Sequence, residues 1–283
     1  MKAAASLSAK SIASAKALLN EGKRDEAQCL LLDRGYIEGL DTTIQDAYLK
    51  LIPVNPTLRI LLEQVYSEFE NPDPKLRYKA VDTIARELIK ERLRDKTFWM
   101  RDPRAADPLI AAVSDPDTKV SECALFALSR LVGNYFPDRR TFRVFLGKLA
   151  DPSQQARTYA ISGIACLGQD DQLFHLVDLL VNGTDDDRAE VSRQIWGAVA
   201  LPREHASEDA ARRSALARSF WRDMMVLALC DTTVRVREHA ARGLELIGDK
   251  GSIPALQAAK DREGNENAAY YMGEAIEAIG LRE

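Results

Sequence analysis

The stretch DPDTKVSECALFALSRLVG, from Asp115 to Gly133, is written again as DPSQQARTYAISGIACLG from Asp151 to Gly168, 36 residues later. Self-similarity at a period of roughly 20–50 residues is the mark of a repeat architecture and constrains a fold more than composition does. Two further strong copies, NPDPKLRYKA and DTTVRVREHA, open at Asn71 and Asp231. Weaker ones, DDDRAEVSRQIWGAVALP and EGNENAAYYMGEAIEAIG, open at Asp185 and Glu263. The strong copies open with Asp or Asn, which favour turns and N-caps. Apolar residues at helical spacing follow, such as Leu125, Leu128 and Leu131, or Ile161, Ile164 and Leu167. Three copies close on Gly133, Gly168 and Gly248, predicted to take the left-handed C′ conformation.

A second amphipathic segment precedes each copy, at 56–69, 106–114, 140–150, 171–183, 217–229 and 251–261. These have helical period too, and hairpin signals such as Asn-Gly or Asp-Gly between alternating residues are missing. Each unit therefore reads as helix, tight turn, helix. Neither helix can bury its apolar face alone, and stacking successive pairs gives a continuous core.

PLIAAVSDPDTKV, DTTVRVREHAARGLELIGD and SIPALQAAKD resemble the HEAT-like repeats first grouped with phycobilin lyases, and the resemblance covers residues 56–280. It implies an all-α, right-handed α-solenoid of about six HEAT-like helix pairs, with second helices lining the concave side. It also implies a ladder between neighbouring copies, built from an opening Asp and an Arg six positions later; the matching residues are Asp151 with Arg157 and Asp231 with Arg237. That ladder would be incomplete, because Arg77 answers to Asn71 and Asp115 to Ser121. The solenoid is expected to occupy 56–283. Residues 1–55 fall outside the frame and read as an N-terminal helical cap, in which GKRDEA resembles a tetratricopeptide helix turn. Terminal units of a solenoid are atypical because they cover an open end.

The net charge is −4 and the sequence pI about 5.6, which speaks against a dedicated nucleic-acid binder. The charge is polarised: residues 71–150 carry +5 and residues 151–283 carry −7. Such a field can orient a partner with complementary charged patches. Cys29, Cys123, Cys166 and Cys230 form no CxxC pair and are expected to be reduced thiols, most of them in the core. No window is apolar enough for a membrane span and no leader pattern is evident, so a cytoplasmic protein is expected. The three histidines, His175, His205 and His239, have no metal-ligand spacing, and nucleotide-loop and hydrolase motifs are lacking. The sequence calls for no catalytic residue, no cofactor and no metal. Two enzymatic readings stand against this. A DNA glycosylase built of HEAT-like helices would use Trp99 and Asp102 in FWMRD; a bilin lyase would share the repeats alone, and fold does not imply function.

What remains is a face. Positions 8, 12 and 16 of each copy stand four apart and share one side of a helix. Together with position 9 they offer Arg86, Phe126, Arg130, Tyr159, Arg193, Trp196 and Arg242. Aromatic residues with arginines are the composition of interface hot spots. Trp99, in the insertion 90–105, is a further candidate anchor; a second insertion spans 201–213. The expectation is a non-catalytic solenoid that captures another protein on its concave face. It would be a bacterial adaptor, or, by analogy, an immunity protein that occludes a toxin.

Overall fold

The computed structural model describes residues 2–37, 42–91, 102–134, 138–167, 170–200 and 208–282. They form helices joined by short turns, with no strand among the described residues. The chain divides into two compact units, Met1–Val144 and Phe145–Glu283.

In the first unit, α1 (Lys2–Asn20), α2 (Arg24–Leu32) and α3 (Thr42–Leu51) pack around their own small core of Leu31, Tyr36, Ile44, Tyr48 and Ile52. The turn between α1 and α2 passes through Gly22 at φ 75°, a left-handed conformation that costs glycine little. Two helix pairs follow: α4 (Pro56–Phe69) with α5 (Pro74–Glu91), and α6 (Ala106–Ala112) with α7 (Thr118–Asn134). Asn55 caps α4 by accepting from the Thr57 amide, and Pro56 takes the first helical position, where no amide proton is needed. The second helices α5 and α7 lie against each other. Helix α8 (Arg140–Lys148) carries the division between the units.

In the second unit, α9 (Gln154–Leu167), α12 (Asp185–Ala200), α14 (Val234–Ile247) and α16 (Glu266–Gly280) pack side by side in that order. The first helices, α11 (Val177–Asn182) after the single turn α10 (Asp170–Leu173), α13 (Glu208–Ala228) and α15 (Ile253–Lys260), lie against α12, α14 and α16. Trp221, Phe145, Leu244 and Met272 are fully buried between the layers.

The repeated phrase has a local reason. Its opening side chain accepts from the amide two residues on: Asn71 from Asp73, Asp115 from Asp117, Asp151 from Ser153, Asp231 from Thr233 and Glu263 from Asn265. That closes a tight turn, and the helix starts one residue later, at 74, 118, 154, 234 and 266. The fourth copy differs from the reading above. Its helix begins at Asp185 itself, so the phrase opens at Asn182, and Thr184 and Asp187 cap it reciprocally.

The corrected frame puts Arg188 at the seventh position, level with Arg77, Arg157 and Arg237. Each donates to a carbonyl in the turn that opens its own copy: Asn71, Asp151, Gly183 and Asp231, at 2.8–2.9 Å. Each then reaches forward to a carboxylate of the next copy: Arg77 to Asp115 (2.7 Å), Arg157 to Asp187 (2.9 Å), Arg188 to Asp231 (2.8 Å) and Arg237 to Glu263 (2.6 Å). The ladder thus runs between neighbouring copies, each arginine reaching a carboxylate of the next copy and not the opening side chain of its own. Where Ser121 replaces arginine, its hydroxyl donates to Val113 O, and Asp151 is met by Lys148 instead.

Asp187 shows what the ladder contributes. Burial would raise its carboxyl pKa, but hydrogen bonds from Arg157 and Thr184 outweigh burial and hold it below the usual range. A depressed folded pKa gives stability that is complete above the unfolded value near 4 and is lost as pH falls through the folded one. Arg157→Ala is expected to cost about 2 kcal/mol at pH 7 and progressively less below pH ~4. Urea midpoints of both proteins at pH 7 and pH 3 check this; an equal gap at both values would refute it.

Two smaller expectations fail. Gly133 lies inside α7, and Gly248 is extended at φ −68°, ψ 159°. Glycine is used at 248 because a Cβ there would stand 2.4 Å from Leu244 O, not for left-handedness. Gly168 lies outside the described residues. The cysteines are not core: Cys166 and Cys230 are exposed, and Cys29 and Cys123 are half-buried. Cys166 sits at the sixteenth position, on the open side of its helix, and Cys230 in the turn that ends α13.

Candidate functional site

In the second unit the parallel helices bring positions 8, 9 and 12 of successive copies to one surface. There a cleft of about 320 Å³ opens between α9, α12 and α14. Gln154 and Thr158 line it from α9, Asp186, Ala189, Glu190 and Arg193 from α12, and Arg235 and His239 from α14. Arg193 donates to both oxygens of Glu190, at 2.8 and 2.6 Å, and Gln194 adds a third bond to the same carboxylate. Arg235 is paired with Asp186. The cations of the cleft are thus already neutralised by its carboxylates. His239 Nδ1 is buried without a hydrogen-bond partner, and burial pulls the imidazole pKa below its usual value.

The other expected contact residues of this unit fall in three places. Arg242 lies over the ring of Tyr271, 5.0 Å from its centroid, and 3.9 Å from Glu238. Tyr159 is half-buried on α9. Trp196 leaves the face: its Cβ stands 3.3 Å from where a Cβ at Gly243 would be, and its Nε1 is buried without a partner. The three-residue slip of the fourth copy explains this, since Trp196 occupies position 15 and faces the seam between α12 and α14. The same slip hid Ala189 and Glu190 from the sequence reading.

In the first unit Arg86 is exposed and bonds Asp82 at 2.6 Å, one turn back. The Arg130 guanidinium covers the half-buried Phe126 ring at 5.3 Å. A smaller cleft of about 300 Å³ lies between α4 and α5, lined by Gln64, Glu68, Leu76 and Lys79 among others. Trp99 lies outside the described residues, as does most of each insertion. Asp102 is 1% exposed and accepts from the Arg104 amide at the turn Pro103–Ala105. In the glycosylase-like reading it would face a groove; in the structure it is a buried cap.

Among the described residues no His, Cys, Asp or Glu cluster is placed to hold a metal, and no helix is long and apolar enough to cross a membrane. The model of the PBS lyase HEAT-like repeat matches residues 236–262. No curated protein matches the chain. Among solved structures, a designed armadillo repeat protein in complex with the peptide (KR)4 is 17% identical, with a TM-score of 0.53 over 77% of this chain and 99% of that one. A second designed armadillo repeat protein is 16% identical with a TM-score of 0.50 over the same shares. The CpcE and CpcF complex of phycocyanin lyase from Nostoc sp. PCC7120 is 17% identical, covering 77% and 94%, and lies further off at a TM-score of 0.37. In its matched repeat and its stacked helix pairs alike, this chain is an all-α repeat solenoid that carries the PBS lyase HEAT-like repeat.

Proposed function

We propose that this chain is a non-catalytic solenoid that captures a protein partner on the face formed by its second helices. The observation that carries the reading is the array α9, α12, α14 and α16, packed side by side with an open polar cleft across three of them. A rigid array presents its contacts already ordered, which lowers the entropic cost of binding. A repeat protein of this fold in complex with a peptide offers a precedent for the mode. The contacts proposed are Arg86, Phe126 and Arg130 in the first unit, and Tyr159, Arg193, Arg242 and the rim of Trp196 in the second. Trp99, in the insertion 90–105, is a further anchor in this reading. The polarised charge suits a partner with complementary charged patches. Within this reading the protein works in the bacterial cytoplasm, as an adaptor or as an immunity protein that occludes a toxin.

The test is affinity capture from native lysate. Gln154→Arg/Thr158→Arg fills the cleft with charge from its half-buried α9 wall, and Val181→Arg/Leu227→Arg puts the same charge on exposed residues of the first helices. One protein should be retained by wild type and by the first-helix variant and be lost from the cleft variant. Retention by the cleft variant, or loss from both, would refute the face.

A further inference from the structure

Beyond the cleft, the last two second helices carry a different chemistry. Tyr270 and Tyr271 of α16 meet edge to face, with ring centroids 5.4 Å apart and planes at 73°. Tyr270 is 60% exposed, an unusual amount for a ring that has a neighbour to stack on. Carboxylates surround it. Glu274 is hydrogen-bonded to its hydroxyl, and Glu245 of α14 lies close enough to help raise the phenol pKa. Glu238 stands on the same side of α14. Lys260 reaches α16 at Gly273, and Arg282 is tied to the Leu246 and Gly248 carbonyls. Arg242, on the same helix as Glu238, is held over Tyr271. That contact shows what the surface does with a guanidinium: it takes one on a tyrosine face with a glutamate beside it. Tyr270, the adjacent residue, repeats the arrangement with Glu274 one turn on, and its ring faces solvent.

We infer that this end of the second unit docks a basic segment of the captured partner, with an arginine or lysine side chain lying on Tyr270 and its charge met by Glu274 and Glu245. A cation over an exposed aromatic face gains modestly from the ring quadrupole, and adjacent carboxylates add attraction and orientation. The −7 carried by residues 151–283 brings such a segment in and repels polyanions. The inference rests on the protein-binding reading above and names the partner's chemistry.

The test uses the full chain and a labelled eight-residue peptide of alternating lysine and arginine, with an Asp/Glu peptide of the same length as control, followed by fluorescence anisotropy at low salt. The basic peptide should bind and the acidic one should not. Tyr270→Ala should weaken binding about threefold, while Tyr270→Phe, which keeps the ring, should leave it unchanged. Glu245→Gln/Glu274→Gln should weaken it about tenfold. Asp178→Asn/Asp223→Asn removes the same charge from the first-helix side of the unit and should have little effect. No binding of the basic peptide, or equal loss in the two charge-matched doubles, would overturn the inference. The two readings separate in the capture experiment. A partner lost from Gln154→Arg/Thr158→Arg but kept by Glu245→Gln/Glu274→Gln refutes this surface and leaves the binding face standing.

Discussion

Arg140→Ala is expected to lower the stability of the first unit by roughly 3–5 kcal/mol, the cost of breaking a buried ion pair from one side. Arg140 donates to Asp138 at 2.6 Å, to Asp107 at 2.8 Å and to Pro103 O at 2.7 Å, and its guanidinium lies 5.5 Å from the Tyr36 ring centroid. The Asp138 side chain is fully buried, and burial pushes the Asp107 carboxyl up. Without Arg140 the first would be left charged with no cation, and the second would lose its strongest partner. The arginine also joins the small core of α1–α3, through Tyr36, to the turn that begins the second helix pair. Arg104 makes a parallel tie, donating to Ile52 O and lying over Tyr48. Lysine at 140 should recover little, since a point charge cannot serve two carboxylates and a carbonyl at fixed angles. Arg140→Met/Asp138→Asn removes both charges together and should cost less than Arg140→Ala. Urea unfolding of the three variants checks this, and a double variant less stable than the single would contradict it.

The helix pairs were legible in the sequence because helical period and turn chemistry act within ten or twenty residues. The segment 56–69 is α4 to the residue, and five of six second helices start three residues after the opening side chain. The fourth start was misread because DDD at 185–187 imitates the opening Asp of the other copies. The true opening is Asn182, and only the alignment of Arg188 with Arg157 and Arg237 could have revealed it. Misplaced by three residues, Trp196 looked like part of the binding surface when it belongs to the seam between helices. The ladder was half legible. Its residue types stood at the right spacing, but an arginine reaching 26 to 43 residues forward cannot be told from one folding back on its own turn until the helices are stacked. The cluster of Asp107, Asp138 and Arg140 left no sequence signal, because Arg140 meets Asp107 across 33 residues of chain. The exposed Tyr270 lies at position 8 of the last copy, on the side that the frame marks as the face, but that copy is so weak that its face residues do not stand out.

Gly163→Ala is expected to destabilise the second unit by about 2 kcal/mol, against a gain of up to about 1 kcal/mol from helix propensity. Gly163 sits mid-helix in α9, where glycine looks like a defect. A Cβ there would stand 2.4 Å from Phe145 Cζ and 2.5 Å from both Cε atoms. Phe145 is fully buried and has no room to turn aside. The tip of the ring is seated on the bare backbone, and that close approach sets how α8 lies under α9. Gly163→Val should cost more, about 3 kcal/mol or above, because a β-branched side chain adds volume to the same collision. Phe145→Leu alone should also destabilise, yet combined with Gly163→Ala it should recover stability, so the cycle should show a clear coupling term. Two other glycines serve as internal controls. At Gly243 the nearest atoms are 3.3 Å away and include the flexible Met225, so Gly243→Ala should be close to neutral. At Gly147 nothing lies within 4 Å, and alanine there should stabilise by up to about 1 kcal/mol. Thermal or urea unfolding of the three alanine variants would decide the matter. The order Gly147, Gly243, Gly163 from most to least stable means that interlayer approach, and not helix propensity, governs where this solenoid keeps glycine. Since Thr158 is carried on the same helix as Gly163, the Gly163→Val variant should also lose the captured partner in proportion to how far α9 is displaced, while Gly147→Ala should keep it.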